Sequence, residues 1–246
     1  LYINQKDGTF KDEALDRGVA YGTPQGFGTW LFDYDNDGDL DIMASEFANI
    51  TNKFKGGFSK FPIAHFKRKM ANTGAFRPSA LYKNDGNGVF TDVTEKTGIV
   101  SSSVMGTGFI DLDLDGDLDI LLGPGSHPLK NMQPLFVYRN DGNDKFTNIT
   151  PLSDPRYFGK LHGMAFADVD RDGDPDLYVN NGGVMLSDHW RDLFLENTTT
   201  GKTWLHIGLT GTTSNRSAIG AQVRVKRGDK VLLQQVTAGE CFGATN

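Results

Sequence analysis

A nine-residue acidic motif occurs three times in the chain and constrains its fold more strongly than any other feature. Each copy places aspartates at positions 1, 3, 5, 7 and 9 and a glycine at position 6. The copies comprise Asp33, Asp35, Asp37, Asp39 and Asp41; Asp111, Asp113, Asp115, Asp117 and Asp119; and Asp168, Asp170, Asp172, Asp174 and Asp176. Carboxylates crowded into so short a loop repel one another unless a cation lies among them. Because Ca²⁺ accepts about six to eight oxygen ligands in a flexible cage, the sequence predicts about three Ca²⁺ ions, one per loop.

The positions of the motif have different expected roles. We expect the side chains at positions 1, 3, 5 and 9 to bind the ion, and the glycine at position 6 to turn the ligands inward. Position 7 is predicted to bind through its main-chain carbonyl, which assigns Asp39, Asp117 and Asp174 to backbone ligation. The third motif has Pro175 at position 8, where the missing N–H donor is expected to weaken the site.

The residues around the motifs distinguish them from EF-hands. An EF-hand closes its cage with a glutamate at the twelfth position of its loop, whereas Ala44, Leu122 and Val179 stand there in this chain. Short apolar runs precede and follow each motif, such as 29–32 and 42–43 around the first, and they predict buried strands. The loops are therefore expected to join strand to strand. Three acidic solvent turns that bind no metal are the alternative.

A second repeat surrounds the acidic motifs. Segments 81–90 and 137–146 each combine a Tyr-x-Asn triplet with an Asn-Asp-Gly turn and a phenylalanine, segment 1–10 is similar, and 193–204 is a worn copy. Turn residues of this kind between apolar runs predict β-hairpins. The landmarks of the repeat are Tyr2, Tyr82, Tyr138 and Phe194, spaced by 80, 56 and 56 residues. Four short strands per unit predict an all-β fold of β-propeller blades, with one blade per unit.

The first spacing is 24 residues longer than the others, which predicts an insertion within about 46–79. The centre of this segment contains six basic residues and no acidic residue, against a net charge of −6 for the chain. The insertion is therefore a candidate for binding an anionic glycan, an anionic surface or a partner protein. The alternative is that its phenylalanines pack on the propeller while its lysines stay in water.

From Trp204 onwards the pattern changes to period-two alternation around a Gly-Asp turn at 228–229. This pattern predicts a hairpin of a second, sandwich-like β module. We therefore expect a partial propeller of about three repeats at 1–203 and the start of the second module at 204–246. Both ends are expected to be truncated, so that missing blades or association with other chains would complete the ring.

These residues carry a family resemblance. The three units resemble FG-GAP/VCBS-type propeller repeats, as in integrin α-subunit heads and bacterial surface proteins, and the Ca²⁺ pattern of that family falls on the aspartates named above. Segment 215–225, Asn-Arg-Ser-Ala-Ile-Gly-Ala-Gln-Val-Arg-Val, is similar to the ASPIC/UnbV module. That module follows such repeats in cartilage acidic protein and in bacterial relatives. The resemblance implies a propeller with bound Ca²⁺.

Composition bears on several functional classes. The negative net charge disfavours nucleic-acid binding, and no apolar run is long enough for a transmembrane helix. The single cysteine, Cys241, excludes an internal disulfide. The five histidines, His65, His127, His162, His189 and His206, lie in unlike contexts without a ligand or nucleophile motif. A cluster of His162, His127 and acidic groups at the propeller axis would favour an enzyme.

The sequence therefore favours a secreted or cell-surface protein, periplasmic or on the outer surface if bacterial. Its expected role is that of an adhesion, scaffold or interaction module with a protein or glycan ligand and structural Ca²⁺. Extracellular Ca²⁺ modules bind the ion with dissociation constants of roughly 10⁻⁴ to 10⁻³ M, which suits this compartment. No catalytic or organic-cofactor residue is assigned. The alternatives are a carbohydrate-binding lectin and a propeller-based polysaccharide-active enzyme.

Overall fold

The computed structural model describes residues 1–20, 22, 26–46, 79–101, 103–125, 133–182, 190–201, 203–228 and 230–236. Within these ranges the chain forms antiparallel β-sheets with one short helix and one 3₁₀ turn, which confirms the predicted all-β class. The predicted basic insertion at 46–79 lies outside the described residues except at its two ends. His65, His127, His189 and Cys241 lie outside them as well.

The first sheet follows a short hairpin of β1 (Tyr2–Asn4) and β2 (Phe10–Asp12). It contains β3 (Gly26–Phe32), β4 (Asp41–Glu46), β5 (Ala80–Asn84) and β6 (Phe90–Asp92). Each strand pairs antiparallel with its neighbour in the sequence, in the order β3–β4–β5–β6. A four-stranded antiparallel sheet of this kind is the unit from which a propeller is built.

The second sheet repeats this arrangement after the short helix α1 (Thr94–Thr97). Its elements are β7 (Val104–Ile110), β8 (Asp119–Pro124), β9 (Gln133–Pro134), β10 (Phe136–Asn140) and β11 (Phe146–Asn148). The sheet order is β7–β8–β10–β11, and the two-residue strand β9 lies outside it. The second sheet is therefore also four-stranded.

The third sheet comes after a 3₁₀ turn at Pro155–Tyr157 and the strand β12 (Phe158–Gly159), which pairs with β9. It contains β13 (Leu161–Ala167), β14 (Asp176–Asn181) and β15 (Leu193–Leu195). A separate hairpin follows, formed by β16 (Gln222–Arg227) and β17 (Lys230–Gln235). The alternating segment expected to open a second β module thus forms the predicted hairpin.

The acidic motifs occupy the same place in each sheet, between its first and second strands. We call them loop 1 (33–41), loop 2 (111–119) and loop 3 (168–176). The Asn-Asp-Gly turns of the second repeat join the third and fourth strands of the first two sheets. Both expectations, strand-to-strand acidic loops and hairpins at the Asn-Asp-Gly turns, are confirmed.

The expected landmark of the degenerate copy of the repeat, Phe194, is wrong by one residue. Tyr82 and Tyr138 lie opposite Ile42 and Ile120 in their sheets, whereas the residue opposite the equivalent Leu177 is Leu195. Phe194, the expected landmark, is 53% exposed because its neighbour takes the inward position. Since successive side chains of a strand point to opposite faces, an offset of one residue exchanges buried and exposed positions.

The core lies between the sheets, which pack face to face. Ile120 and Leu122 of β8 contribute to a cluster shared with Met43 and Leu81 of the first sheet. Leu121, between them, contributes to a second cluster with residues of the third sheet. Both faces of β8 are therefore buried, as the alternation of side chains along a strand requires. The arrangement places the three acidic loops at equivalent ends of stacked sheets.

The first strands of the second and third sheets approach closely at Gly106. A Cβ atom at this position would overlap the main-chain carbonyl of His162 in β13. Glycine is therefore required here by the space between two backbones, although its φ lies outside the left-handed region.

Replacing Gly106 with alanine should lower the free energy of unfolding by about 1–3 kcal/mol, because an added methyl group in a filled space forces the backbones apart. Urea unfolding followed by circular dichroism measures the change. Gly208→Ala is the matched control, because no atom lies within 4 Å of the methyl group that it would add. Equal losses in the two variants would contradict the close approach of the two strands.

Candidate metal centres

Each acidic loop brings three carboxylates together. One oxygen from each aspartate at positions 1, 3 and 5 lies within 4.8 Å of the others. The triads are Asp33, Asp35 and Asp37; Asp111, Asp113 and Asp115; and Asp168, Asp170 and Asp172. Three of the four predicted side-chain ligands thus converge in every loop, and each triad could hold a metal ion.

The loop backbone is left-handed at two positions. The glycine at position 6 has φ of +94° at Gly38 and +99° at Gly116 and Gly173, as the predicted bend requires. Position 4 is left-handed too, with φ of 58° at Asn36 and 54° at Leu114. For a residue with a Cβ atom this conformation costs roughly 1–2 kcal/mol. Such strain persists only where the surrounding contacts hold the backbone in place.

The aspartate at position 1 provides part of that restraint. In loop 1, the N–H groups of Asp37 and Gly38 donate to the two carboxylate oxygens of Asp33, at 3.2 and 3.0 Å. In loop 2, Asp115 and Gly116 donate to Asp111 at 3.0 and 2.9 Å. The first carboxylate therefore folds the loop back onto itself, which leaves the second lone pair of each oxygen for a cation.

The aspartate at position 9 fastens the loop to the rest of its sheet. In loop 1, Asp41 accepts from the N–H groups of Tyr34 and Asn84, at 3.0 and 2.8 Å. The equivalent acceptors, Asp119 and Asp176, repeat both bonds. Both oxygens of each carboxylate thus hold main-chain donors while keeping a second lone pair. Direct ligation of the ion by position 9 stays a prediction.

An asparagine at the end of the third strand links neighbouring acidic loops, whereas the sequence analysis assigned it only to a turn. Asn140 Nδ2 donates to the Leu118 carbonyl of its own loop at 3.2 Å and to the Tyr34 carbonyl of loop 1 at 2.7 Å. Asn197 Nδ2 likewise donates to the Pro175 and Leu112 carbonyls, in loops 3 and 2. The asparagines therefore link loops 2 and 3 to the loop of the preceding sheet. An asparagine that donates its N–H to the position-9 aspartate recurs in every repeat, and this recurrence is the sequence signal from which the role could have been inferred.

Burial raises the pKa values of several loop carboxyls. The pKa rises to about 6 at Asp33 and Asp111, mainly through desolvation and further through neighbouring carboxylates. The same causes raise the pKa of Asp41 and Asp119 to about 7. The folded protein thus holds charges in an environment that disfavours them, and a bound cation would relieve that cost.

Unpartnered oxygens provide the test of fit for a cation. Among the described residues, Asp35 Oδ1 and Asp113 Oδ1, both at position 3, are buried without a hydrogen-bond partner. Buried polar atoms in native proteins are nearly always paired, so these oxygens require a partner. Since every donor of the triads is a carboxylate oxygen, the sites fit a hard divalent cation.

Loop 3 differs from loop 2 at position 7. Asp117 of loop 2 accepts from Asn36 Nδ2 of loop 1 at 2.6 Å. The residue equivalent to Asn36 in loop 2 is Leu114, which has no side-chain donor to offer Asp174 of loop 3. Both oxygens of Asp174 are buried and accept no hydrogen bond from a side chain of loop 2. Desolvation and Asp172 raise the pKa of Asp174, although the Thr199 N–H lowers it in part.

Two family models match the chain. Residues 70–122 and 128–179 match an FG-GAP-like repeat, and residues 211–246 match the model described as ASPIC and UnbV. The chain is an FG-GAP repeat protein that carries an ASPIC and UnbV module. Loop 1 precedes the matched repeats, yet it has the same triad as loops 2 and 3. No curated protein matches the sequence.

FG-GAP repeats point to a propeller-type interaction or adhesion module. His162, named in the enzyme hypothesis, is buried in β13 of the third repeat sheet. Its suggested neighbour His127 lies outside the described residues. Among the described residues, no helix is long and apolar enough to cross a membrane.

Two lysines of the FG-GAP protein lie against the acidic loops. Lys83 Nζ forms an ion pair with Asp35 and lies 3.5 Å from Asp37 Oδ2. Since both aspartates belong to the loop 1 triad, an ion bound there would displace this ammonium group. Lys230 Nζ instead contacts the side chain of Asp117, 2.8 Å from Oδ1. Position 7 is predicted to bind through its carbonyl, so this contact is compatible with a metal in loop 2.

The metal-free FG-GAP protein should lose stability as the pH rises from 5.5 to 7.5. The pKa values of Asp33, Asp41, Asp111 and Asp119 lie at about 6 to 7, above the ordinary 3.8, so the folded state holds more protons there than the unfolded state. Their contribution is full below about pH 4 and is lost as the pH rises through 6 to 7. Thermal unfolding after removal of divalent ions measures it.

Saturating Ca²⁺ should reverse this dependence, because protons and the ion compete for the same carboxylates. A melting temperature that rises with pH in the absence of divalent ions would contradict the proposed state of the loops.

Asn140→Ala should lower the free energy of unfolding by about 2–4 kcal/mol, because it leaves the carbonyls of Tyr34 and Leu118 without their side-chain donor. Chemical unfolding in Ca²⁺ measures the loss. The control is Asn4→Ala, at the equivalent place in the β1–β2 hairpin, where the exposed side chain accepts from the Lys6 N–H. A loss at Asn140 no larger than the loss at Asn4 would show that the link between loops is unimportant.

Proposed function

We propose that the protein is a Ca²⁺-stabilised scaffold or adhesion module that acts outside the cell or on its surface. The observation that carries the proposal is the carboxylate triad, repeated in three loops with its oxygens within 4.8 Å. The unpartnered oxygens of Asp35 and Asp113, one in each of the first two triads, support it. A divalent ion in each loop would supply their missing partner.

The donor set favours Ca²⁺ over Mg²⁺. Ca²⁺ accepts carboxylate and main-chain oxygens at about 2.3–2.6 Å in flexible geometry, whereas Mg²⁺ requires a near-octahedral shell at about 2.0–2.1 Å and retains several waters. A loop that offers three carboxylates and, at position 7, a main-chain carbonyl suits the larger ion. The tight backbone turn, set by left-handed residues such as Asn36 and Gly38, brings these donors to one side.

The proposed role of the ion is structural. It would neutralise carboxylates whose pKa values burial has raised, and it would hold the strained turn in place. The effect would extend through Asp119 to Asn140, and from the Asn140 amide to the carbonyl of Tyr34 in loop 1. Ion binding at one loop would thus stabilise the contact between neighbouring sheets.

The compartment follows from the expected affinity. Extracellular Ca²⁺ modules bind with dissociation constants of roughly 10⁻⁴ to 10⁻³ M and are filled only where the ion is abundant. FG-GAP-type repeats in integrin heads and bacterial surface proteins support the same location. We assign a protein or glycan ligand to the module and no reaction, because the repeated groups of the loops are ion ligands.

Addition of 10 mM Ca²⁺ to the metal-free protein should raise the free energy of unfolding by roughly 1.4–2.7 kcal/mol per occupied site, given dissociation constants of 10⁻³ to 10⁻⁴ M. Mg²⁺ at the same concentration should have a smaller effect. Isothermal titration calorimetry should give about three Ca²⁺ per chain, one for each triad.

Asp113→Asn should remove about one of these ions, because it neutralises the central carboxylate of the loop 2 triad. Asp16→Asn, at an exposed position away from the loops, makes the same chemical change and should leave the stoichiometry intact. Unchanged stoichiometry in Asp113→Asn, or a melting temperature insensitive to Ca²⁺, would rule out the proposed sites.

A further inference from the structure

The β16–β17 hairpin contacts loops 1 and 2 through three basic side chains. Arg224 Nη2 donates to the Gly38 carbonyl of loop 1 at 3.3 Å. Arg227 Nη2 donates to the Asp115 carbonyl of loop 2 at 2.9 Å. Lys230 Nζ donates to Asp117 Oδ1 at 2.8 Å and to its Oδ2 at 3.1 Å. The hairpin, which belongs to the segment matched as ASPIC and UnbV, therefore lies directly on the acidic loops.

Apolar contacts accompany the polar ones. Leu233 of β17 is 3% exposed, although the hairpin is an isolated two-stranded sheet, and it borders the same cavity as Trp30 and Phe109 of the repeat sheets. Leu232 lies close to Gly116 at the bend of loop 2. A two-stranded hairpin is marginally stable by itself in water, so the contact with the repeat sheets contributes to its stability.

The acceptors of the two arginines are main-chain carbonyls, and their directions depend on the conformation of the loops. Gly38 and Gly116 at position 6 and Leu114 at position 4 are left-handed. For Leu114 this conformation is strained, so it depends on the contacts that hold the loop. A loop that relaxes when its carboxylates repel one another would turn these carbonyls away from the guanidinium groups. The hairpin therefore contacts carbonyls whose directions are those of the ordered loops.

Charge by itself opposes this coupling, because a bound cation weakens the attraction of the loop for basic side chains. Each loop carries five aspartates, so one divalent ion leaves an excess of three negative charges when all five are ionised. The basic side chains remain attracted to the occupied loop. Lys230 contacts the side chain of Asp117, which the ion does not use if position 7 binds through its carbonyl. The coupling is positive where the ordering of the loop outweighs this partial loss of attraction.

We propose that Ca²⁺ occupancy of loops 1 and 2 controls the docking of the β16–β17 hairpin, an inference that rests on the proposed function. Occupied loops present their carbonyls to Arg224 and Arg227, and the ASPIC and UnbV segment docks. Empty loops release it. By thermodynamic reciprocity, a docked hairpin raises the Ca²⁺ affinity of these loops by the same factor.

Because the coupling is reciprocal, the direction in which Ca²⁺ affinity changes when the basic side chains of the hairpin are neutralised distinguishes two possibilities. If the hairpin only supplies positive charge in place of the ion, its neutralisation will strengthen Ca²⁺ binding. If the hairpin docks on ion-ordered loops, its neutralisation will weaken Ca²⁺ binding. The test variant combines Arg224→Gln, Arg227→Gln and Lys230→Gln. The control is Lys226→Gln, at an exposed hairpin position.

Calorimetric titration of the full chain with CaCl₂ should show two sites weakened about fivefold or more in the triple variant, the lower range of typical couplings between sites. Lys226→Gln should change neither the affinity nor the stoichiometry. Arg227→Gln and Lys226→Gln each remove one positive charge, and the two residues are adjacent. Any difference in Ca²⁺ affinity between these variants therefore reports the contact and not the net charge.

Hydrogen–deuterium exchange provides the second readout and also covers a variant that misfolds. In the unsubstituted chain, removal of Ca²⁺ should speed exchange of the amides of β16 and β17. Unchanged exchange, or unchanged or stronger Ca²⁺ binding in the triple variant, would overturn the coupling while leaving the proposed function intact. Absence of Ca²⁺ binding by the unsubstituted chain would overturn both.

Discussion

Electrostatic repulsion within the acidic loops shapes both the loops themselves and their contacts with the rest of the molecule. Five aspartates in nine residues form a stable corner only if their charges are met by donors, protons or cations. Main-chain N–H groups meet part of the charge at Asp33 and Asp41, but burial and neighbouring carboxylates still raise the pKa values of these carboxyls. A divalent ion in the loop would stabilise the carboxylate charge that the main-chain donors leave uncompensated.

The carboxylates that repel one another also connect each loop to the neighbouring loop through hydrogen bonds. Asp119 holds the N–H of Asn140, and the amide of Asn140 reaches the carbonyl of Tyr34 in the neighbouring loop. The corners of successive sheets are thus connected by hydrogen bonds as well as by the hydrophobic clusters between the sheets. In this account, one ion stabilises a sheet corner, its contact with the next sheet, and the docked β16–β17 hairpin.

Sequence periodicity predicted the local features and missed those that depend on contacts between repeats. The apolar runs that flank each motif were enough to place the loops between strands, and the bend at Gly38 was predicted because it is encoded within the nine residues of the motif. The contact of Arg224 with Gly38 joins residues 186 positions apart, and no short pattern encodes it. The one-residue error at Phe194 arose because composition does not fix strand register when both Phe194 and Leu195 are apolar. The second role of Asn140 was hidden because turn formation already explained its presence.

Long-wavelength anomalous diffraction from crystals grown in CaCl₂ would test directly whether the acidic loops bind the ion. We expect an anomalous peak in each of the three triads, with carboxylate oxygens of positions 1, 3 and 5 at about 2.3–2.6 Å from the ion. Loops that keep the described conformation in millimolar Ca²⁺ but contain no anomalous density would contradict it.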